Sequence, residues 1–227
     1  MNKLLIIADD LTGALDTGVC FASMGISTRV RLPDDANQHT TNESFSVDVA
    51  IVESRHMQPN EAYQAVFERI MQLSGANYSY VYKKTDSALR GNIGAELIAA
   101  LDATGSRTLH FIPAFPKMNR IVRNGILYIN GNIPVAESVF AQDPFNPVLH
   151  SSILEILAEQ TEAPAYIADG AEAGYEAGIA VYNAEADEDF LRIGGHLVRD
   201  VGANLFAGCA GFANALSQLI PFEKPGE

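Results

Sequence analysis

The sequence predicts an α/β domain in three layers: a mostly parallel sheet, helices on both of its faces, and an additional β-hairpin arm. Strand-like and helix-like segments alternate along the 227 residues, which favours a parallel sheet covered on both sides. The strand-like runs are short and mostly apolar, as in buried parallel strands. The length suits one large domain with a sizeable core.

Local sequence patterns predict the individual elements. Runs of β-branched, aromatic and other apolar residues predict strands at residues 4–8, 28–32, 47–52, 78–82, 108–112, 165–168, 179–182 and 204–207. Apolar residues at three- and four-residue steps predict helices at 14–24, 59–74, 92–103 and 212–219, and helices that begin near residues 152 and 187. A polar stretch at residues 33–44 predicts a solvent-exposed loop.

Turn and capping signals define the remaining boundaries. Ser152 and Glu155 match a capping box at the start of a helix. Residues 125–131, an apolar segment between two glycines, predict a hairpin. We assign one domain to residues 1–219. Residues 220–227 contain two prolines and one glycine, and we expect them to form an interdomain linker.

Composition excludes several classes of function. The chain has 15 Lys and Arg against 28 Asp and Glu, a formal net charge of −13. Such an acidic surface repels phosphate backbones and anionic membranes, so no nucleic-acid or membrane partner is expected. No apolar run approaches the ~20 residues of a membrane span, and the first strand is too short for a signal peptide. Cys20 and Cys209 predict two reduced, buried thiols and a cytoplasmic protein.

Polar residues gather where four predicted strands end. Ligands of open parallel sheets bind beyond the carboxyl ends of the strands, so this convergence is the main functional signal. The four clusters are Asp9 to Ala14, Glu53 to His56, Lys83 to Asn92, and Pro113 to Pro116 followed by Asn119 and Arg120.

Asp9 and Asp10 follow the first strand directly. A carboxylate pair can orient hydroxyls, act as a base or hold Mg²⁺. A simpler interpretation is that one of them only caps the helix that follows. A magnesium-dependent phosphatase with an Asp-x-Asp motif is a further alternative. It fits poorly, because adjacent strand residues point to opposite faces.

The segment from Lys83 to Asn92 is the densest cluster, with two ammonium groups, a guanidinium, a carboxylate and two hydroxyls within ten residues. Arg90 offers a fork that matches a carboxylate or phosphate. Gly91 allows backbone amides to approach an anion at a helix N-terminus. The alternative is a solvated turn with a local salt bridge. The segment matches neither a Walker A loop nor a dinucleotide-binding loop.

Other candidates carry less weight. Arg55 is a second fork for a carboxylate, and Asn119 and Arg120 are weaker because a loop pair of this kind is usually just exposed. The five histidines show no zinc-binding spacing, so no metal site is predicted, and His110 is expected in the core. The glycine-flanked Cys209 is expected to allow tight packing of a strand against a helix.

Together these motifs resemble those of the four-carbon acid sugar kinases. The resemblance spans essentially the whole chain. It rests on residues 7–14 with Asp16, Thr17 and Gly18, on Lys83 to Ser87 with Arg90 to Asn92, on Pro113 to Pro116 with Asn119 and Arg120, on Gly125 with Tyr128, on Asp143 with Pro144, and on residues 207–213.

The resemblance implies a kinase that phosphorylates acids such as threonate, erythronate or oxo-tetronates with ATP. In that family the N-terminal domain binds the acid sugar and a C-terminal domain binds ATP, in chains roughly twice as long as this one. We therefore expect ATP and Mg²⁺ to bind mainly through a C-terminal nucleotide-binding domain absent from this chain. The chain alone is then not catalytically complete.

The resemblance also implies roles for the candidate residues. Arg55 or Arg90 would capture the substrate carboxylate, and Asp9, Asp10 or Asp86 would orient the hydroxyls and accept a proton. Lys84 would offset charge on the transferred phosphoryl group. The other expected substrate contacts are Thr12, Lys83, Ser87, Gly91, Asn92, Asn119 and Arg120.

Two other functions stay open, a non-catalytic sugar-acid-binding module and a magnesium-dependent phosphatase that uses Asp9 or Asp10. The arm at residues 125–135 is a candidate contact for a homodimer.

Overall fold

The computed structural model describes residues 2–33, 45–168 and 176–223. Its strands are β1 (Leu4–Ala8), β2 (Thr28–Arg31), β3 (Val47–Ile51), β4 (Tyr80–Lys84), β5 (Thr108–Ile112), β6 (Arg120–Arg123), β7 (Ile126–Ile129), β8 (Ile133–Pro134), β9 (Ala165–Ile167), β10 (Gly178–Val181) and β11 (Leu205–Gly208). Its helices are α1 (Leu11–Ala22), α2 (Pro59–Leu73), α3 (Ile93–Thr104), α4 (Ile153–Ala158), α5 (Asp187–Leu197) and α6 (Ala210–Leu219). Most of the loop predicted at 33–44, and residues 224–227 of the predicted linker, lie outside the described residues.

The predicted three-layer architecture is confirmed. Among the described residues, eight strands form one sheet in the order β2-β3-β1-β4-β11-β5-β10-β9. All neighbouring strands in it are parallel. Helices α1, α5 and α6 pack together on one side, and α2, α3 and α4 on the other. The carboxyl ends of all eight strands therefore meet at one edge, where β1, β4, β11 and β5 are neighbours.

The core consists of central strands with no solvent-facing side. Every residue of β1, β3, β5, β10 and β11 is buried, which explains their continuous apolar runs. Asp48 on β3 is the charged exception. Its carboxylate accepts hydrogen bonds from Arg29 Nε at 2.6 Å and from the Tyr78 hydroxyl at 2.6 Å. A buried charge needs such partners.

Most element boundaries differ from the prediction by one to three residues, and two of the differences bear on the site. Helix α1 begins at Leu11 rather than at residue 14, because Asp10 caps it by accepting a hydrogen bond from Gly13 N–H at 2.7 Å. Strand β4 extends to Lys84 rather than ending at residue 82. Lys83 and Lys84 are therefore strand residues, and both are buried.

The predicted hairpin is present and gains a third strand. Strands β6, β7 and β8 form an antiparallel sheet. The first turn lies at Asn124 and Gly125, so residue 131 belongs to the second turn. This sheet packs against the domain, since Val122 and Leu127 are fully buried.

The chain beyond α6 stays on the domain surface where it is described. The Phe222 ring packs edge-on against Phe21, with centroids 5.8 Å apart. Asn2 Nδ2 donates a hydrogen bond to Pro221 O at 3.1 Å. None of the described helices combines the length and apolar character needed to cross a membrane.

The core histidine predicts a pH dependence of stability. His110 is buried on β5, with Nδ1 2.9 Å from the Tyr182 hydroxyl oxygen. Burial lowers the pKa of His110 to about 4, and Asp200 opposes this only in part. The unfolded chain binds the proton near pH 6.5, so the free energy of unfolding falls as pH drops from about 6.5 to about 4, by up to about 3 kcal/mol.

Urea unfolding across this pH range tests the assignment. We expect His110→Gln to remove that part of the pH dependence, whereas substitution of the half-exposed His150 by Gln leaves it in place. An unchanged slope in His110→Gln would contradict the assignment.

Candidate functional site

A cleft of about 140 Å³ lies at the carboxyl ends of β1, β4 and β11. Five sequence segments far apart in the chain meet there: the four predicted strand-end clusters, and a fifth segment with Cys209 and Ala210. The lining contains three carboxylates and three cationic side chains, and Asp9 and Asp143 add two carboxylates that bind Arg55 and Arg90. Its residues are Asp10, Thr12, Gly13, Asp16, Arg55, Lys84, Asp86, Ser87, Arg90, Phe115, Cys209 and Ala210.

Arg55 joins the two adjacent aspartates. Its Nη2 lies 2.6 Å and its Nε 2.7 Å from Asp9 Oδ2, and its Nη1 lies 2.7 Å from Asp10 Oδ2. Asp9 is buried, whereas the Asp10 side chain keeps 29% of its surface exposed. Burial lowers the pKa of Arg55, but the surrounding Asp9, Asp86 and Asp10 carboxylates outweigh it and raise the pKa. Asp10 is thus both the helix cap and a wall of the cleft.

Arg90 is held by two other carboxylates. Its Nε and Nη2 bind both Asp86 oxygens, at 2.9 and 3.0 Å, and its Nη1 binds Asp143 Oδ2 at 3.0 Å. Burial raises the pKa of Asp86, but hydrogen bonds and charge from Arg90, with the charge of Arg55, lower it to about 2. The local salt bridge of the alternative interpretation is therefore present in this segment. Much of the Arg90 fork is already occupied by carboxylate.

Lys84 is the cation with the fewest anionic partners in the cleft. Its Nζ donates to Thr85 O at 2.8 Å and lies 4.0 Å from Asp9 Oδ1. An ammonium has three donors, so capacity remains for a ligand. Gly13 makes room for it, because a Cβ at that position would lie 2.5 Å from Lys84 Nζ.

Lys83 does not line the cleft, although the sequence suggested a substrate contact. Successive strand residues point to opposite faces, so Lys83 faces α3 while Lys84 faces the cleft. Its Nζ is fully buried, 2.7 Å from Glu96 Oε2, and donates to Lys84 O at 2.7 Å. This position does not favour the predicted ligand contact.

Asn92 and Gly91 serve the turn that carries Arg55. Asn92 is buried, and its Nδ2 donates to Ser54 O and to Met57 O, each at 2.9 Å. Gly91 has φ +89°, and a Cβ there would lie 2.9 Å from Arg55 Cγ. Both residues contact protein groups rather than the cleft, which does not favour their predicted role as ligand contacts.

The outer rim holds the other predicted contacts. Arg120 Nη1 donates a hydrogen bond to the Ser87 hydroxyl, and the Phe140 ring lies 5.1 Å from Arg120 Cζ and 5.3 Å from Arg90 Cζ. Thr12 is exposed and lines the cleft. Asn119 is exposed and ends a short helical turn with φ 52°, so it is not placed in the cleft.

Some participants carried no signal that assigned them to the site. Phe140 lies in a short helical turn, Val139–Gln142, in a stretch of sequence without a recognisable motif. Asp143 belongs to a motif of the family resemblance but had no assigned role. Glu96 falls within an ordinary helical pattern, and only its contact with Lys83 reveals its function.

A larger cavity of about 430 Å³ lies between α1, α5 and α6. Its lining is largely apolar, and its charged residues Lys117 and Asp187 pair with each other at 3.5 Å. The smaller cleft, where several polar side chains converge, is therefore the better candidate for the functional site.

Both cysteines are free thiols, with Cys209 buried and Cys20 half-buried. Burial raises the pKa of Cys209 to about 11, which does not favour a nucleophilic thiol.

Within the described ranges, no group of three or more His, Cys, Asp or Glu is arranged to hold a metal ion. Asp9 and Asp10, the pair considered for Mg²⁺, are both bonded to Arg55. One oxygen of each, Asp9 Oδ2 and Asp10 Oδ2, is therefore directed at a cation that the protein itself supplies.

Known proteins share this sequence and fold. A model of the family of sugar-binding N-terminal domains matches residues 4–216. A D-threonate kinase of Salmonella typhimurium is 36% identical over 230 residues, covering 94% of this chain and 53% of that protein. A D-erythronate kinase of Heliobacterium modesticaldum is 37% identical over 165 residues, covering 71% of this chain and 37% of that protein.

A solved structure agrees with these matches. A Bordetella bronchiseptica domain, determined with bound citrate as a domain-swapped dimer, has a TM-score of 0.83 and 30% identity, covering 96% of this chain and 57% of that one. The chain thus spans about half the length, or less, of the curated relatives described above.

The Asp86–Arg90 pair gives a direct spectroscopic prediction. We expect a carboxyl ¹³C titration to give Asp86 a pKa of about 2. Arg90→Gln should raise it towards or above the ordinary value, because burial would then no longer be offset. A folded-state pKa below the unfolded one stabilises the protein fully above about pH 4, and this contribution is lost as pH falls towards 2.

A matched control lies on α5, among residues that do not line the cleft. Arg192 pairs with Asp189 at 2.9 Å, so Arg192→Gln should leave the titration of Asp86 unchanged. An Asp86 pKa near 4 in the wild-type protein would contradict the description of the pair.

Proposed function

The chain belongs to the family of sugar-binding N-terminal domains of four-carbon acid sugar kinases, and on that premise we propose that it binds a four-carbon sugar acid for phosphorylation. In this proposal the substrate is a threonate- or erythronate-type acid. Its primary hydroxyl is presented to ATP held by another part of a longer protein.

The cleft at the strand ends is the observation that carries this proposal. A four-carbon sugar acid has a carboxylate and several hydroxyls, and so needs a cation and several acceptors within a small volume. Lys84 and three carboxylate acceptors, Asp10, Asp16 and Asp86, line the same cleft of about 140 Å³. The citrate carried by the Bordetella bronchiseptica structure, also a hydroxy acid, is consistent with this chemistry.

Lys84 and the N-terminus of α6 form the best seat for the substrate carboxylate, because the Asp10 carboxylate already caps α1. Helices α1 and α6 begin at the cleft, where Thr12 and Ala210 line it. Helix N-termini favour anions through unpaired amides and the helix dipole. Arg55 and Arg90, the forks first considered, are largely occupied by aspartates. Their role is therefore to hold those aspartates and supply positive potential.

Asp10 is the preferred proton acceptor for the attacking hydroxyl. Asp9 is buried, and Asp86 is held by Arg90 with a pKa of about 2, which makes it a weak base. Asp10 is partly exposed and lines the cleft. Its two hydrogen-bond partners fix its orientation, as catalysis by positioning requires.

ATP and Mg²⁺ are assigned to a nucleotide-binding domain beyond this chain. The bound nucleotide would supply the phosphoryl group, and its Mg²⁺ would offset the phosphate charge. The residues of this chain would bind the acid, orient its hydroxyl and exclude water. A non-catalytic binding module has the same cleft, so the presence of an associated nucleotide domain separates the two. The pairing of Asp9 and Asp10 with Arg55 disfavours a phosphatase nucleophile.

We also propose that the protein forms a homodimer, supported by the domain-swapped dimer of the Bordetella bronchiseptica relative. The candidate contact in the β6–β8 sheet is less favoured, because Val122 and Leu127 are already buried within the domain.

Calorimetric titration tests the substrate assignment. We expect one of D-threonate, L-threonate, D-erythronate and L-erythronate to bind this chain, and MgATP not to bind. Lys84→Met should weaken the binding roughly 10- to 100-fold, through loss of a charge-assisted hydrogen bond of about 1.5–3 kcal/mol.

Lys3→Met is the matched control, because Lys3 precedes β1 at the opposite edge of the sheet. It should bind the acid as the wild type does. Binding of MgATP without any acid would contradict the proposal, and hydrolysis of a generic phosphate ester by the chain would support the phosphatase alternative.

A further inference from the structure

We propose that a buried polar chain behind the sheet, formed by Lys83, Glu96 and Ser54 and supported by Asn92, positions the Arg55 guanidinium. Lys83 and Asn92 then act through Arg55 instead of touching the substrate. The inference deepens the proposed function, on which it depends only for its ligand readout.

The first link of this buried polar chain is an ion pair that is shielded from solvent. The Lys83 and Glu96 side chains are 0% and 1% exposed, and Lys83 Nζ lies 2.7 Å from Glu96 Oε2. A buried ion pair of this kind is often no more stabilising than apolar residues of similar volume. Stability alone therefore explains the pair poorly, and a positional role is the stronger explanation.

Glu96 links this ion pair to the turn that contains Arg55. Its Oε1 accepts a hydrogen bond from the fully buried Ser54 hydroxyl at 2.5 Å. Ser54 is the first residue of the short helical turn Ser54–His56, in which Arg55 is central. Lys83 holds one oxygen of Glu96 and Ser54 holds the other, so the carboxylate fixes the distance between β4 and the turn.

Asn92 fixes the same turn at both ends. Its Nδ2 donates to Ser54 O and to Met57 O, at 2.9 Å each, and so spans Arg55. The turn needs such support because Glu53, immediately before it, has φ 56°, an unfavourable conformation for a non-glycine residue. Asn92 supplies no side-chain hydrogen bond to cap α3, which leaves the turn as its structural task.

The consequence appears on the cleft side of the sheet. With its backbone held, Arg55 reaches Asp9 and Asp10 with three nitrogen atoms at 2.6–2.7 Å. A movement of the turn by about 1 Å is enough to degrade contacts of this kind. The buried polar chain thus positions the Asp9 and Asp10 carboxylates through Arg55.

Exchange of the Arg55 Nε proton with solvent, measured by NMR, tests this without any ligand. Ser54→Ala removes the link to Glu96 and keeps the Lys83–Glu96 pair. We expect it to speed Arg55 Nε–H exchange roughly tenfold, because the hydrogen bond to Asp9 is loosened. Asn92→Ala should act in the same direction and serves as the second variant if Ser54→Ala does not fold.

Two controls separate positioning from general loosening of the protein. The Arg90 Nε–H, which binds Asp86 in the same cleft, should exchange at its wild-type rate in both variants. Ser217→Ala removes another buried hydroxyl, which bonds Asn214 O within α6, and should leave Arg55 unchanged. Unchanged Arg55 exchange in the folded variants, or equal acceleration at Arg90, would overturn the inference.

Calorimetry with the bound acid separates this inference from the proposed function. Ser54→Ala should weaken acid binding roughly tenfold, and Ser217→Ala should not. If the wild type binds no acid, the proposed function fails while the exchange result still decides the role of Ser54. If the acid binds and Arg55 exchange is unaffected by Ser54→Ala, only the positioning role fails.

Discussion

The ion pairs between Arg55 and the adjacent carboxylates of Asp9 and Asp10 are the interaction on which the rest of the site depends. Two neighbouring carboxylates with little solvent repel each other and require a shared cation. Arg55 comes from the turn after β3, so its contacts fasten the ends of two neighbouring strands. Asp10, held in this way, also caps α1, and the first turn of that helix forms one wall of the cleft.

Local charge, rather than the charge of the whole protein, decides what this cleft can bind. The chain is strongly acidic, with a net charge of −13, yet three cationic side chains line the cleft. Arg55 and Arg90 are each bound to aspartates and Asp10 caps α1, which leaves Lys84 and the N-terminus of α6 as the attractive groups for an anion. The carboxylates that line the cleft, Asp10, Asp16 and Asp86, can accept hydrogen bonds from the hydroxyls of a ligand. Such a division of tasks fits a small polyhydroxy acid better than a highly charged phosphate ester.

The sequence predicted the fold more completely than the site. Buried parallel strands are continuous apolar runs, and the apolar residues of a helix recur about every 3.6 residues. Both patterns can be recognised in a single sequence. The end of β4 was predicted two residues too early, because two consecutive lysines, Lys83 and Lys84, are not typical of a buried strand. The convergence of four segments was predictable from the common edge of a parallel sheet. Which lysine faces the cleft depends on strand register, and the role of Glu96 depends on a partner from another element.

A crystal structure of the chain with D-threonate or D-erythronate, whichever the titrations select, tests the central claim most directly. We expect the acid in the cleft, with its carboxylate within hydrogen-bonding distance of Lys84 Nζ and a hydroxyl hydrogen-bonded to Asp10. An acid bound in the larger cavity between α1, α5 and α6, or one bound in the cleft without contact to Lys84, would contradict this claim.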